Sequence, residues 1–161
     1  VTFRRTVIPV QELLDAAGKY FKKLMKNRSE RIELEIESME AKVIGDVNQL
    51  RFLLENLIDE ALTVREDGVI RLQARKDNEY IRFLFTDTRR EKSVEELNQL
   101  FYPNLARMTS GEKGELRGTE YLVCKQIIRD HDEFAGRRGC RINAEPAEGG
   151  GFTVYFTIPR R

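Results

Sequence analysis

A repeated change in the spacing of apolar residues is the feature that most constrains the fold of this chain. Apolar residues recur every three to four positions over Val7–Met25, whereas from Arg31 onward Ile32, Leu34 and Ile36 alternate with glutamates. The first spacing predicts an amphipathic helix, and the second predicts a strand with one buried face. A chain that changes between them many times packs helices against a sheet.

The same two spacings, together with turn and capping residues, predict the remaining elements of the chain. Asp46, with Gln49 three residues on, has the pattern of a helix-capping box. Lys76–Glu79 is a predicted hairpin loop, and Gly149–Gly151 a predicted turn. The further predicted elements are an extended segment Ala41–Ile44, a helix from Asp46 to about Val64, strands Val69–Arg75 and Tyr80–Phe85, a helix Val94–Leu100, a helix from Thr119 to about Arg129, and strands Arg141–Ala144 and Phe152–Ile158.

These elements predict an α+β fold, a two-layer α/β sandwich with helices on one face of a mixed, mostly antiparallel sheet. The 161 residues fit one domain, spanning 1–161. Residues 102–118 are rich in Gly, Pro, Ser, Asn and charged residues and exceed most connections in length, which predicts a lid-like loop.

Composition excludes several classes of function. The 28 basic and 27 acidic residues leave a net charge of +1, which argues against a general nucleic-acid binder. The apolar runs are too short to cross a bilayer. The first residue is Val1 rather than Met, which suggests a piece of a longer protein or a processed form. Cys124 and Cys140 fit no metal site by themselves and are expected to be reduced thiols, as in the cytoplasm.

Common catalytic patterns are missing from the sequence. It contains one histidine, His131, no Cys/His spacing for zinc and no nucleophile elbow. His131 is expected at a helix end in a structural role. The segment 132–139 contains Arg137 and Arg138, and Arg141 follows it. This basic insertion is interpreted as a solvated loop or as a docking surface.

Three blocks of sequence, in this order and spacing, resemble the ATP-binding domain of sensor histidine kinases. They are 43–61 (VIGDVNQLRFLLENLIDEA), 121–128 (YLVCKQII) followed by His131, and 151–159 (GFTVYFTIP). The resemblance covers about Val7 to Pro159. It implies the two-layer sandwich shared by gyrase, heat-shock-protein-90, histidine-kinase and mismatch-repair ATPases.

The residues that bind nucleotide in the family are only partly retained. The family presents two Asn one helical turn apart, the second holding Mg²⁺; Asn56 matches the first, and Glu60 stands at the second as a candidate metal ligand. In the family's Asp-x-Gly-x-Gly box the Asp accepts from the adenine amino group. Here Asp87 is retained, but Arg89 and Glu91 replace the glycines.

The second glycine box of the family holds phosphate at a helix N-terminus. Only Gly118 remains of it, and Glu120 now lies in the first turn of the helix. Glutamates at 60, 91 and 120 are expected to repel phosphate, in part offset by Arg89, Arg90 and Lys92. The predicted nucleotide contacts are therefore Asn56, Glu60, Asp87 and Gly118, with Asn56 and Glu60 as the metal candidates.

Three functional hypotheses follow from the resemblance. The first is a histidine-kinase-like ATP-binding domain with weak or no nucleotide binding that acts as a regulatory or docking module in signalling. The alternative is a divergent but active domain that uses ATP and Mg²⁺ through Asp87, Asn56 and Glu60. A third is a partner-binding domain of the anti-sigma type, which shares the fold.

The resemblance also implies the partners. In the family the phosphoacceptor histidine lies on a helical hairpin that precedes this domain, so this piece is not expected to phosphorylate itself. The expected partner is that hairpin or another protein. The isolated domain is expected to be cytoplasmic and monomeric, without nucleic-acid or membrane contact; a membrane-anchored parent stays open.

Overall fold

A mixed five-stranded sheet, with strands in the order β2-β4-β5-β9-β8, organises the molecule. The computed structural model describes residues 2–103, 109–110 and 116–161. The elements in chain order are β1 (Thr6–Pro9), α1 (Val10–Met25), β2 (Ile32–Ile36), β3 (Lys42–Gly45), α2 (Val47–Ala61), β4 (Gly68–Asp77), β5 (Tyr80–Asp87), α3 (Val94–Gln99), β6 (Thr109–Ser110), β7 (Leu116–Arg117), α4 (Glu120–Phe134), β8 (Ile142–Pro146) and β9 (Phe152–Pro159).

The predicted fold class is confirmed. β2 is parallel to β4, and the β4-β5, β5-β9 and β9-β8 pairs are antiparallel. Helices cover one face, where alternate strand residues meet the apolar stripes of α1, α2 and α4. Phe83 of β5 and Phe156 of β9 stack there with ring centroids 4.8 Å apart. Burial of this face is the main source of stability for such a sandwich.

Two predicted boundaries are wrong. Residues 7–9 are not helical: Val7 and Ile8 belong to β1, which pairs with β3, and α1 begins at Val10. Proline fixes its own φ and disfavours helix for the residue before it, so Pro9 holds the chain extended up to the helix start. At the other end, α4 continues to Phe134, so the predicted insertion 132–139 is helical over its first three residues.

The predicted lid-like loop 102–118 lies mostly outside the described residues. Within it, β6 pairs antiparallel with β7, joining Thr109 to Arg117 and Ser110 to Leu116.

A buried polar link joins the start of α2 to the end of α4. The Asp46 side chain accepts from the Gln49 backbone N–H at 3.1 Å, which is the first half of the predicted capping box; the Gln49 side chain does not complete it. His131 is fully buried, and its Nε2 accepts from the Asp46 N–H at 3.0 Å. Its Nδ1 therefore carries the proton and donates to the Ile127 carbonyl at 2.8 Å.

Candidate functional site

Asp87 is the last residue of the central strand β5 and lies near the last turn of α2. It is 1% exposed. Its Oδ1 accepts from the backbone N–H and Nε–H of Arg89, both at 3.0 Å. Its Oδ2 accepts from Arg89 Nη2 at 2.9 Å and from Arg90 Nε at 3.1 Å. A carboxylate offers about four lone-pair positions, so these four donors saturate Asp87.

The Arg89 guanidinium lies between Asp87 and the carboxyl end of α2. Besides its two bonds to Asp87, it donates to three backbone carbonyl oxygens, those of Ala61 at 2.7 Å, Val64 at 3.0 Å and Glu66 at 2.9 Å. All five N–H groups of the guanidinium are thereby used. Helix ends leave carbonyls unpaired and carry partial negative charge, so the cation caps α2.

Gly68 leaves room for the Arg89 side chain. A Cβ at this position would lie 2.6 Å from Arg89 Cγ, and the residue has a φ of +143°, which side chains rarely adopt. The side chain of Arg89 is only 1% exposed, so the arginine is built into the interior.

Arg90 extends the same network to α2 and α4. Its Nη2 donates to Glu60 Oε2 at 2.9 Å, and the Tyr121 hydroxyl donates to the same oxygen at 2.8 Å. Burial by itself would lower the pKa of Arg90, but the Glu60 carboxylate raises it above its ordinary value. Burial and the neighbouring Glu60 also hold the pKa of Tyr121 well above its ordinary value. Glu60 is thus a charge-paired residue in this arrangement.

Glu91 makes a third connection, to the turn between β8 and β9. Its Oε1 accepts from the Gly151 N–H at 3.0 Å. Gly151 has a φ of +84°, and a Cβ there would overlap the Asp87 carbonyl oxygen and lie 2.7 Å from Thr88 Cα. The residues that replace the two family glycines, Arg89 and Glu91, therefore hold the surrounding elements together.

Two of the predicted nucleotide contacts lie apart from this network. Asn56 is 7% exposed, and its Nδ2 donates to the Phe52 carbonyl of its own helix at 2.8 Å. Gly118 has a φ of +80° and precedes α4, where Thr119 makes no side-chain capping bond. No group of three or more His, Cys, Asp or Glu that could hold a metal occurs among the described residues. Metal binding by Asn56 and Glu60 stays a prediction.

The structure therefore joins Asp87 to Glu60 through Arg90, and it reveals Arg89 as the central side chain. The sequence contained a signal for this role, since an arginine follows the strand-end aspartate where the family has glycine. These contacts also weaken the expected repulsion of phosphate by Glu60 and Glu91. Glu60 is paired with Arg90, and Glu91 accepts from the Gly151 N–H.

An adenine amino group needs a free lone pair on the aspartate at this position. In this arrangement four protein donors take all the positions on Asp87, and the Arg89 side chain lies against it. The residues present do not fit the adenine of ATP here while Arg89 holds this position.

A family model described as "Histidine kinase-, DNA gyrase B-, and HSP90-like ATPase" matches residues 45–161. Comparison with curated protein sequences gives no match. Within the described residues, no helix has the length and apolar character needed to cross a membrane.

Solved structures with the same fold include histidine kinases. The catalytic domain of histidine kinase ThkA aligns with a TM-score of 0.74 and 21% identity over 99% of this chain and 97% of that one. The mycobacterial sensor histidine kinase MprB aligns with a TM-score of 0.73 and 19% identity, over 98% and 99% of the two chains. ThkA in complex with response regulator protein TrrA aligns at 0.74 and 20%, covering 99% of this chain and 42% of that one.

Proposed function

Since the chain belongs to the histidine kinase-, DNA gyrase B- and HSP90-like ATPase family, we propose that it is a member whose nucleotide site is filled by its own arginine. On this proposal the domain binds ATP weakly or not at all and acts as a regulatory or docking module of a larger signalling protein. The observation that carries the proposal is the saturation of Asp87 by Arg89 and Arg90.

The energetics of displacing Arg89 support this proposal. A nucleotide that reached Asp87 would have to remove a guanidinium that makes five hydrogen bonds. The buried carboxylate of Asp87 would lose its nearest charged partner, and breaking a buried ion pair in this way costs about 3–5 kcal/mol. A site of millimolar affinity supplies about 4 kcal/mol of binding free energy. Because the cost of displacing Arg89 is of the same size, we expect little or no net binding of ATP.

The test is calorimetric titration of the domain with a non-hydrolysable ATP analogue, with and without Mg²⁺, alongside thermal unfolding in the same solutions. We expect no heat of binding and no change in unfolding temperature at millimolar nucleotide. A dissociation constant near or below about 100 μM, roughly 5 to 6 kcal/mol of binding free energy, would overturn the proposal.

The alternative function is a divergent, active ATP-binding domain. Asn56 and Gly118 favour it, because both match the family's nucleotide motifs and Gly118 keeps a left-handed φ before α4. This alternative predicts Mg²⁺-dependent binding that Glu60→Gln weakens. If Glu60→Gln left the affinity for ATP and Mg²⁺ unchanged, Glu60 would not be a metal ligand.

The proposed partners are proteins. The relative ThkA has been solved with a response regulator, and we infer for this chain either such a component or a helical hairpin domain of its own parent, on the cytoplasmic side. We propose that the isolated domain is a monomer, which a molecular mass from analytical ultracentrifugation would test.

A further inference from the structure

A groove of about 750 Å³ runs between helix α1 and strand β2. Its walls include Leu14, Gly18 and Phe21 from α1, and both Leu34 and Ile36 from β2. Glu33 and Glu35, which point to the opposite face of the sheet, also border it. Because residues of both faces of β2 line one groove, the groove follows the free edge of this strand.

The backbone along this edge has unpaired hydrogen-bonding groups. β2 ends the strand order, with β4 as its sheet neighbour. The Gly68 N–H donates to the Arg31 carbonyl, and the Glu37 N–H donates to the Leu72 carbonyl. In a parallel ladder alternate residues bond to the same neighbour, so the N–H and C=O groups of Leu34 and Ile36, which line the groove, point away from β4.

The charges along the edge of β2 determine which kind of strand could pair with it. Pairing β2 antiparallel with β2 of a second copy around Leu34 would place Glu33 opposite Glu35 on both sides, and like charges directly opposite destabilise a sheet. Arg71 contacts Glu35 at 3.1 Å, but both side chains are about half exposed and such pairs contribute little. The edge therefore disfavours a second copy and favours a strand with basic residues.

The outer and inner faces of the sheet favour different side chains in an added strand. On the outer face of the sheet the added strand would meet the carboxylates of Glu33 and Glu35. On the inner face it would meet the partly buried Leu34 and Ile36, with Lys19 and Lys22 of α1 at the rim. A basic side chain therefore suits only the outer positions, and an apolar one suits the inner positions.

We propose that the free edge of β2 binds an extended segment of a protein partner in which Lys or Arg alternates with β-branched apolar residues. The segment adds a strand to the sheet: its backbone pairs with Leu34 and Ile36, and its side chains alternate between the two walls. The proposal rests on the docking role proposed above and gives that role a surface.

The test uses two synthetic peptides, one alternating Lys with Val and a matched one alternating Glu with Val. Amide resonances of the ¹⁵N-labelled domain are followed during titration with each. We expect the Lys peptide to shift the resonances of Leu34 and Ile36 and to slow their hydrogen exchange, with severalfold tighter binding than the Glu peptide.

Reversing the charges on β2 tests whether the peptide preference depends on Glu33 and Glu35. In the double variant Glu33→Lys, Glu35→Lys we expect the preference to reverse, so that the Glu peptide binds severalfold more tightly than the Lys peptide. Both positions are exposed, and an unchanged urea midpoint would show that the fold is intact. Arg75→Glu, on the exposed part of β4, is the control and should leave the preference unchanged.

Three results would overturn the proposal: shifts confined to other strands, equal shifts with both peptides, or a preference that survives the reversal. Self-association through β2 would assign the edge to a second copy instead. None of these results bears on nucleotide binding, and a positive ATP titration would contradict the proposed function while leaving a positive peptide result in place.

Discussion

Arg89 is a buried cation whose five guanidinium N–H groups all have acceptors inside the domain. Its guanidinium connects the end of β5 to the end of α2 with a full set of donors, and its charge faces the buried carboxylate of Asp87. Buried ion pairs are costly to form but far more costly to break by removing one partner, because the other charge is left without compensation. The pair is therefore expected to fix the local structure.

Asp87→Asn tests this pair. The amide Nδ2 would face guanidinium donors, and Arg89 would keep a buried charge, so we expect the free energy of unfolding to fall by about 3–5 kcal/mol. Asp77→Asn is the matched control, because Asp77 pairs with Arg82 while both side chains are about one-third exposed; it should cost less than about 1 kcal/mol. Equal losses in urea unfolding would contradict a special role for Asp87.

His131 predicts a pH dependence of stability. Burial lowers its pKa below the ordinary 6.5, even though the bond to the Ile127 carbonyl and the charges of Asp46 and Asp130 favour the protonated form. The unfolded chain binds this proton more readily than the native state. Its contribution is therefore fully present above about pH 6.5 and is lost as pH falls below it, by up to about 1.4 kcal/mol per pH unit.

Urea unfolding between about pH 7 and pH 5 measures this dependence. His131→Gln serves as the comparison, because it removes the titrating group while leaving a side chain that can accept from the Asp46 N–H. We expect a smaller pH slope in the variant. The same slope in both proteins would locate the titration elsewhere.

At the scale of elements, the turn between β8 and β9 packs directly on the end of β5. Gly149 and Gly151 lie in this turn with nearly the same φ, +88° and +84°, but only Gly151 has backbone atoms of Asp87 and Thr88 where a Cβ would be. This pair separates conformational strain from steric contact.

We expect Gly149→Ala to cost about 1–2 kcal/mol, the usual penalty of a left-handed conformation for alanine. Gly151→Ala carries the same penalty and in addition displaces β5, so its loss of unfolding free energy should be clearly larger. Thermal unfolding of the two variants compares them. Equal losses would mean that the turn moves away from β5 without cost.

Periodicity predicted most of the elements because each buries one regular face. The stripe of α2 and the alternation in β2 required no tertiary information. The start of the chain differs for two reasons. Pro9 disfavours helix in the residue before it, and Val7 and Ile8 pair with β3, which is distant in sequence. Phe134, the last residue of α4, packs against the ring of Phe3, and this contact between segments distant in sequence has no signal in the periodicity.

Over the whole molecule, the fold is that of an ATPase family, and Arg89 and Arg90 connect Asp87 to the carboxyl-terminal part of α2. The lost glycines and the retained Asp87 could be identified from sequence. The position of Arg89 could not, because its bonds reach carbonyls more than twenty residues away, at the end of α2. The sequence likewise predicts repulsion of phosphate by Glu60 and a partial offset by Arg90, but it does not show that these two side chains form a direct ion pair.

The Nε–H resonance of Arg89 in a ¹H–¹⁵N spectrum, recorded with and without millimolar ATP and Mg²⁺, reports whether the arginine or a nucleotide occupies Asp87. Asp87 accepts from this group at 3.0 Å in the interior, so we predict a slowly exchanging resonance that ATP leaves unchanged. Loss or displacement of that resonance on adding ATP, together with shifts at Asp87, would show that nucleotide takes the place of the arginine and would contradict the account.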